Sequence, residues 1–109
     1  MKHSEALKAA KAVIANPENW TQGTYYRRED GSPTDIRSLA CKFCSYGAMR
    51  VANEMDSDRY LLGQEYIYRA LIVIGKEKFT LDTFNDNHSH KDVMALFDKA
   101  IELAEKEGE

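Results

Sequence analysis

The stretch SHKDVMALFDKAIELAEK, Ser89 to Lys106, constrains the fold more than any other part of this chain. Val93, Leu96, Phe97, Ala100, Ile101 and Ala104 recur with the 3.6-residue period of an α-helix, and Lys91, Asp98, Lys99, Glu102 and Glu105 fall on the opposite side. Ser89 stands where a helix needs an N-terminal cap, with Asp92 three residues on as an Asp variant of the capping box. A stripe this broad leaves water only by packing against other apolar surfaces. The rest of the chain must supply them.

Three further segments carry helical patterns. Residues 4–15 place Leu7, Ala10, Val13 and Ile14 on one stripe, with Ser4 as the expected cap and Asn16-Pro17 as the stop. Residues 37–54 place Cys41, Cys44, Ala48 and Val51 on one stripe, and Gly47 and Ala48 leave room for a neighbouring helix. Met55 to Asp58 reads as a loop whose Ser57 or Asp58 caps a third helix through RYLLGQEYIYRALIVI. Its expected core stripe is Leu61, Tyr68, Leu71 and Ile72, with Glu65 and Arg69 as an exposed pair and Gly75 as the stop. Phe79 to Phe84 has some extended character and is expected to connect the third helix to the last. Between the first two helices, TYYRREDGSPTDIR is the least helical stretch. Asp30-Gly31 signals a tight turn, Thr24 to Arg28 suits a short strand, and Pro33 weakens any second strand after the turn. The expected fold is mainly α: a single four-helix domain over residues 1–109, with a small irregular or β-hairpin segment after the first helix.

Composition narrows the function. A hydrophobic content of 43% beside 30% charged residues belongs to a folded domain, not a disordered chain. The longest apolar run, Ala70 to Ile74, is far short of the roughly 18 residues that span a bilayer, so no membrane association is expected. The N-terminus shows no signal-peptide pattern, and two cysteines without one suggest a reducing, cytoplasmic setting. A formal charge of -3 argues against general nucleic-acid binding, although Arg27, Arg28 and Arg37 are candidates for a local basic patch.

Cys41 and Cys44 have the C-x-x-C spacing of a metal knuckle, and His88 and His90 offer two more ligands. Metal knuckles sit in tight turns, however, whereas this pair falls within a helical pattern where cysteine behaves as a small hydrophobe. The expectation is no metal, with Cys41, Cys44, His88 and His90 as the alternative set. A redox pair is weaker still, since it opens a helix in a βαβ context that this chain lacks. No nucleophile elbow, phosphate loop or zinc-protease helix is present, so neither an enzyme nor a cofactor is expected. Tyr25, Tyr26, Arg27 and Arg28 mix aromatic and cationic groups as binding surfaces do. Tyr60, Tyr66 and Tyr68 form a second tyrosine group, some of it core. A polar loop, Asn85-Asp86-Asn87-His88, is the other candidate, with Trp20 beside it.

WTQGTYYRREDGSP (Trp20 to Pro33), ACKFCSYGAMRVA (Ala40 to Ala52) and FNDNHSHKDVMALFDKAIELA (Phe84 to Ala104) follow one another in an order that resembles a family of unknown function carried by bacteria and their phages. Its members look like W-x-Q-G, an Arg-Asp-Gly turn, C-x-x-G-A at a helix start, an aromatic-Asn-Asp loop and a closing helix. Two departures are visible: the turn reads Arg-Glu-Asp-Gly, and Phe84 stands where tryptophan is expected. The resemblance brings no activity, cofactor or catalytic residue. It implies that Trp20, Gln22, Gly23, Cys44, Gly47, Ala48, Asn85 and Asp86 form one constellation, with Asn85 and Asp86 holding the backbone near Gln22 and Gly23. It also implies a phage or prophage origin. The leading expectation is a small protein of the bacterial host cytoplasm, monomer or homodimer, that binds a host protein, with inhibition as the finer reading, through Trp20, Tyr25, Tyr26, Arg27, Arg28, Asn85, Asp86 and His88. The alternative is a small-ligand or metal site around Trp20, Asn85, Asp86 and His88.

Overall fold

The longest helix forms as its pattern requires. In the computed structural model, which describes residues 1–54 and 61–109, it runs His90–Lys106 with the Ser89/Asp92 capping box made in both directions. All six residues of its stripe are buried. The described residues form five α-helices: α1 (His3–Ile14), α2 (Ser45–Ala52), α3 (Gln64–Val73), α4 (Leu81–Asn87) and α5 (His90–Lys106). They also form a two-stranded antiparallel pair, β1 (Tyr26–Arg27) with β2 (Lys42–Phe43). Helix α1 packs on α2 and α5, α3 lies along α5, and α4 sits against α2. Leu7 and Ile14, Met49, Ile67 and Leu71, Phe84, and Leu96 and Phe97 meet in one apolar core from these five elements.

The fold is mainly helical as expected, with one helix more than the pattern showed. Helix α4 occupies the supposed connector. Thr80 and Thr83 exchange the two hydrogen bonds of a capping box at its start, a role Glu or Gln plays more visibly in sequence. Leu81 and Phe84 then fill the core. Helix α1 lacks the expected cap: Lys2 occupies the cap position without a side-chain bond, and Ser4 is buried, its N–H donating to Glu109 O at 2.9 Å. Helix α3 begins at Gln64 behind Gly63, and the expected Met55–Asp58 loop, its Ser57 or Asp58 cap, and Tyr60 lie outside the described residues. Its buried face is also turned. Tyr66, Ile67, Ala70 and Leu71 point inward, whereas Tyr68 and Ile72 are exposed. A run as uniformly apolar as ALIVI gives periodicity no phase, so packing against α5 chooses the face. Gly75 ends α3 as expected. It adopts φ 75°, and Lys76 N–H reaches back to Leu71 O at 2.8 Å, the double-bonded left-handed stop of a helix.

The largest correction concerns residues 37–44, read in sequence as helix. They form a single 3-10 turn, Arg37–Leu39, and then β2. Cys41 N–H donates to Arg27 O at 2.8 Å and Cys44 N–H to Tyr25 O at 3.1 Å, so after the 3-10 turn residues 41 and 44 bond to the 25–27 strand segment and not to a helix of their own. The Asp30-Gly31 turn does close, with Arg28 N–H donating to Ser32 O at 2.8 Å and an isolated bridge from Arg27 to Pro33. The ladder proper is with β2. Helix α2 then starts at Ser45, with Gly47 pressed against β1: a side chain there would meet Tyr25 O at 2.6 Å. We expect Gly47→Ala to destabilise the fold by about 1–3 kcal/mol through overpacking against backbone, read as a lowered midpoint in thermal unfolding. Gly31→Ala meets open space but a φ of 90°, so it should also destabilise, by about 1–2 kcal/mol, through backbone strain and not through overpacking.

Candidate functional site

Asn85 lies on α4 with no solvent exposure, a position that demands partners for all of its amide. It has them. Trp20 Nε1–H donates to Asn85 Oδ1 at 2.7 Å, and Ser45 donates to the same oxygen through N–H at 2.9 Å and through its hydroxyl at 2.5 Å. Asn85 Nδ2 donates to Thr21 O at 3.0 Å and to Asp86 Oδ1 at 3.2 Å. Asp86 Oδ1 also receives Gly23 N–H at 2.9 Å, and Gln22 Nε2 bridges Asn85 O and His88 O at 2.9 Å each. Residues 20–23 have no regular ladder of their own beyond the bridge to Phe43, so α4 supplies their missing partners. Trp20, Gln22, Gly23, Asn85 and Asp86 therefore do come together, and Asn85 and Asp86, on helix α4 and not in the polar loop expected from sequence, hold the backbone near Gln22 and Gly23. Sequence reasoning missed Ser45 and Thr21. Both bond through short or backbone groups that leave no pattern.

The aromatic and basic stretch is divided by its own strand. Alternation along β1 buries Tyr26 and turns Arg27 outward. The Arg27 guanidinium is then consumed internally, donating to Thr21 Oγ1 at 2.7 Å, Gln22 O at 3.0 Å and Gly31 O at 3.1 Å. Tyr25 stacks on Tyr46, and the Arg50 guanidinium lies 4.6 Å from the Tyr25 ring. Arg28 alone of the four is exposed. Arg27, Arg28 and Arg37 do not act as one patch: Arg27 faces the Thr21–Gly31 loop, and Arg37 donates to Val51 O at 3.1 Å.

A family model described as a family of unknown function (DUF6197) matches residues 1–103. The chain belongs to this family. No curated protein and no solved structure matches. In this member of DUF6197, the Trp20–Asn85–Ser45 network joins the loop after α1, the start of α2 and helix α4.

The alternative metal set is dispersed. Among the described residues no three His, Cys, Asp or Glu side chains are grouped to hold an ion. Cys41 is exposed beside β2, whereas Cys44 is buried at the start of α2, its Sγ accepting Gly47 N–H at 3.3 Å. This corrects the expectation of a shared helical stripe: neither cysteine lies within a helix. His88 bonds Phe84 O through Nδ1 at 2.9 Å, and His90 bonds Ile14 O through Nε2 at 2.7 Å while standing edge-on to Trp20. A carbonyl has no proton to give, so in each ring the bonded nitrogen carries the hydrogen. Burial pushes the Cys44 thiol from 9.0 up to about 11, which keeps it protonated and unreactive.

Asn85→Ala should cost about 3 kcal/mol or more, since it strands several buried donors and acceptors at about 1–3 kcal/mol each; thermal or denaturant unfolding reads this directly. For the thiols, one of the two cysteines should react with a thiol reagent in the folded chain. That one is Cys41. Cys44 should become reactive only on unfolding or as the pH approaches about 11, as followed by mass spectrometry of the labelled peptides.

Proposed function

We propose that this chain acts by binding a protein and performs no reaction of its own. The observation that carries the reading is the outward face of α3. Tyr68, Ile72 and Val73 are 45%, 63% and 56% exposed on a helix of ten residues. Single exposed apolar residues are ordinary, but several side by side on one element mark a contact surface. The rim is polar and ordered. Gln64 Nε2 donates to the Tyr68 hydroxyl at 2.8 Å, and Arg69 is held between Glu65 and Glu107. An aromatic and branched apolar centre within a fixed charged border is the anatomy of a protein interface.

This moves the proposed surface away from Tyr25, Tyr26 and Arg27, whose side chains serve the fold. The finer reading is a phage- or prophage-type accessory protein that occupies, and so inhibits, a host protein in the bacterial cytoplasm. The net charge of -3 supports a target with a basic surface, such as a host nuclease or a transcription protein. A small-ligand site uniting Trp20, Asn85, Asp86 and His88 has less support, because the polar atoms of the first three are engaged with one another and with backbone.

The test is capture of a partner from host lysate, purification of that partner, and reconstitution with the chain by size-exclusion chromatography with light scattering. A stoichiometric complex is expected with the wild type. Ile72→Glu should weaken it by more than about fivefold, as loss of a central apolar anchor does, with the melting temperature unchanged. A complex indifferent to Ile72→Glu would refute the α3 surface, and the lack of any reconstituted complex would refute the binding role.

A further inference from the structure

The outer face of α3 differs between its two ends. Over the first turns lies an open depression of about 510 Å³, lined by Gln64, Glu65, Tyr68, Arg69 and Ile72. At the last turn Ile72 and Val73 stand exposed. Glu65, Arg69 and Val73 follow at four-residue spacing, with Tyr68 and Ile72 on the neighbouring row, so hollow and knobs share one face of the helix. They suit each other in shape, but a single helix cannot bring its own two ends together. A second copy can.

The charges are divided in the same way. Near the start of α3, Glu65 and Glu107 hold Arg69, two negative charges against one positive. Just past its end come Lys76 and Lys78 with Glu77, two positive charges against one negative. A two-fold axis perpendicular to α3 satisfies both divisions at once. Antiparallel pairing sets the start of each helix against the end of the other, so each acidic end meets a basic one and each hollow receives a knob. With the axis between Ala70 and Leu71, Val73 of one copy stands opposite Tyr68 of the other, and Ile72 opposite Arg69. The Arg69 stem, steadied by its two carboxylates, then offers its methylenes to Ile72. Parallel pairing would instead set acid on acid and base on base.

We propose that the free chain pairs with a second copy of itself through antiparallel α3 helices. This rests on the reading of the α3 face as a contact surface and names its occupant in the free chain, so a host protein on the same face competes with the second copy. A ten-residue helix is about 15 Å long, and its face falls short of the roughly 800 Å² per partner of a stable complex. The dimer is therefore weak and reversible, with a Kd on the order of 0.1 mM.

The experiment is sedimentation equilibrium of the full chain at low salt, where surface charges are least screened, from about 10 µM to about 1 mM. The wild type is expected to pass from monomer to dimer across this range. Ile72→Glu should raise the Kd more than about tenfold by removing an apolar contact at the seam. Charge reversal then tests the direction of pairing. Glu65→Lys alone and Lys76→Glu/Lys78→Glu alone should each weaken the homodimer, because each sets like charges together at both ends. An equimolar mixture of the two should restore a dimer, since every end again meets its opposite. Melting temperatures check that each variant keeps the fold. The proposal is overturned by a chain that stays monomeric to about 1 mM, by a dimer indifferent to Ile72→Glu, or by reversed-charge variants that pair as well alone as mixed. A monomeric chain that still forms the reconstituted host complex would sink the dimer and leave the protein-binding reading standing; a dimer without any host complex would do the reverse.

Discussion

The Asn85 side chain is the point on which the irregular half of this molecule depends. Its amide oxygen receives the Trp20 indole and both donors of Ser45, and its amide nitrogen closes on Thr21 O. A loop after α1, the first residue of α2 and the middle of α4 are thereby tied to one buried group. Buried polar groups are costly when unpaired and specifying when satisfied, because few chain arrangements meet all of their directions at once. Helix packing alone would tolerate several positions for residues 20–23. The amide selects one.

Around this point the helices follow ordinary amphipathic logic. Helix α5 is the spine, buried along its whole stripe and in contact with α1, α3 and α4. Helix α1 crosses to α2, and the short β1–β2 pair brings Tyr25 O against Gly47. That approach explains the glycine better than any need for unusual backbone angles, since Gly47 is helical and only the missing side chain matters. Cys44 fits the same economy of space: a small, protonated thiol that caps α2 while filling a buried site.

Membership in DUF6197 brings no chemistry with it, so function must be argued from what the fold leaves unused. The groups that most suggested binding in sequence are largely spent on structure. Arg27 fastens the turn that follows it, and Tyr25 joins a stack with Tyr46 and Arg50. What the fold leaves over is the outer face of α3. It is apolar at its centre and charged at its border, which is why the proposed function concerns binding rather than reaction.

Apart from the grouping of Trp20, Gln22, Gly23, Asn85 and Asp86, which came from the family resemblance, the sequence by itself determined the helical class, the whole of α5 with its cap and buried face, and the stops at Pro17 and Gly75. These are local or strongly periodic signals, and helix periodicity and turn chemistry carry them without reference to distant residues. Tertiary structure decided the rest. It made residues 41–44 a strand and a cap, because β1 offered them backbone partners that a helical pattern cannot reveal. It chose the buried face of α3, because an apolar run has no phase until a neighbour supplies one. It converted Phe79–Phe84 partly into α4, where a threonine capping box and a place in the core outweigh weak local preference. Above all it supplied Ser45 and Thr21 to Asn85, partners 40 and 64 residues away in the chain. Hydrogen bonds that span such separations are set by three-dimensional closure, and no local pattern encodes them.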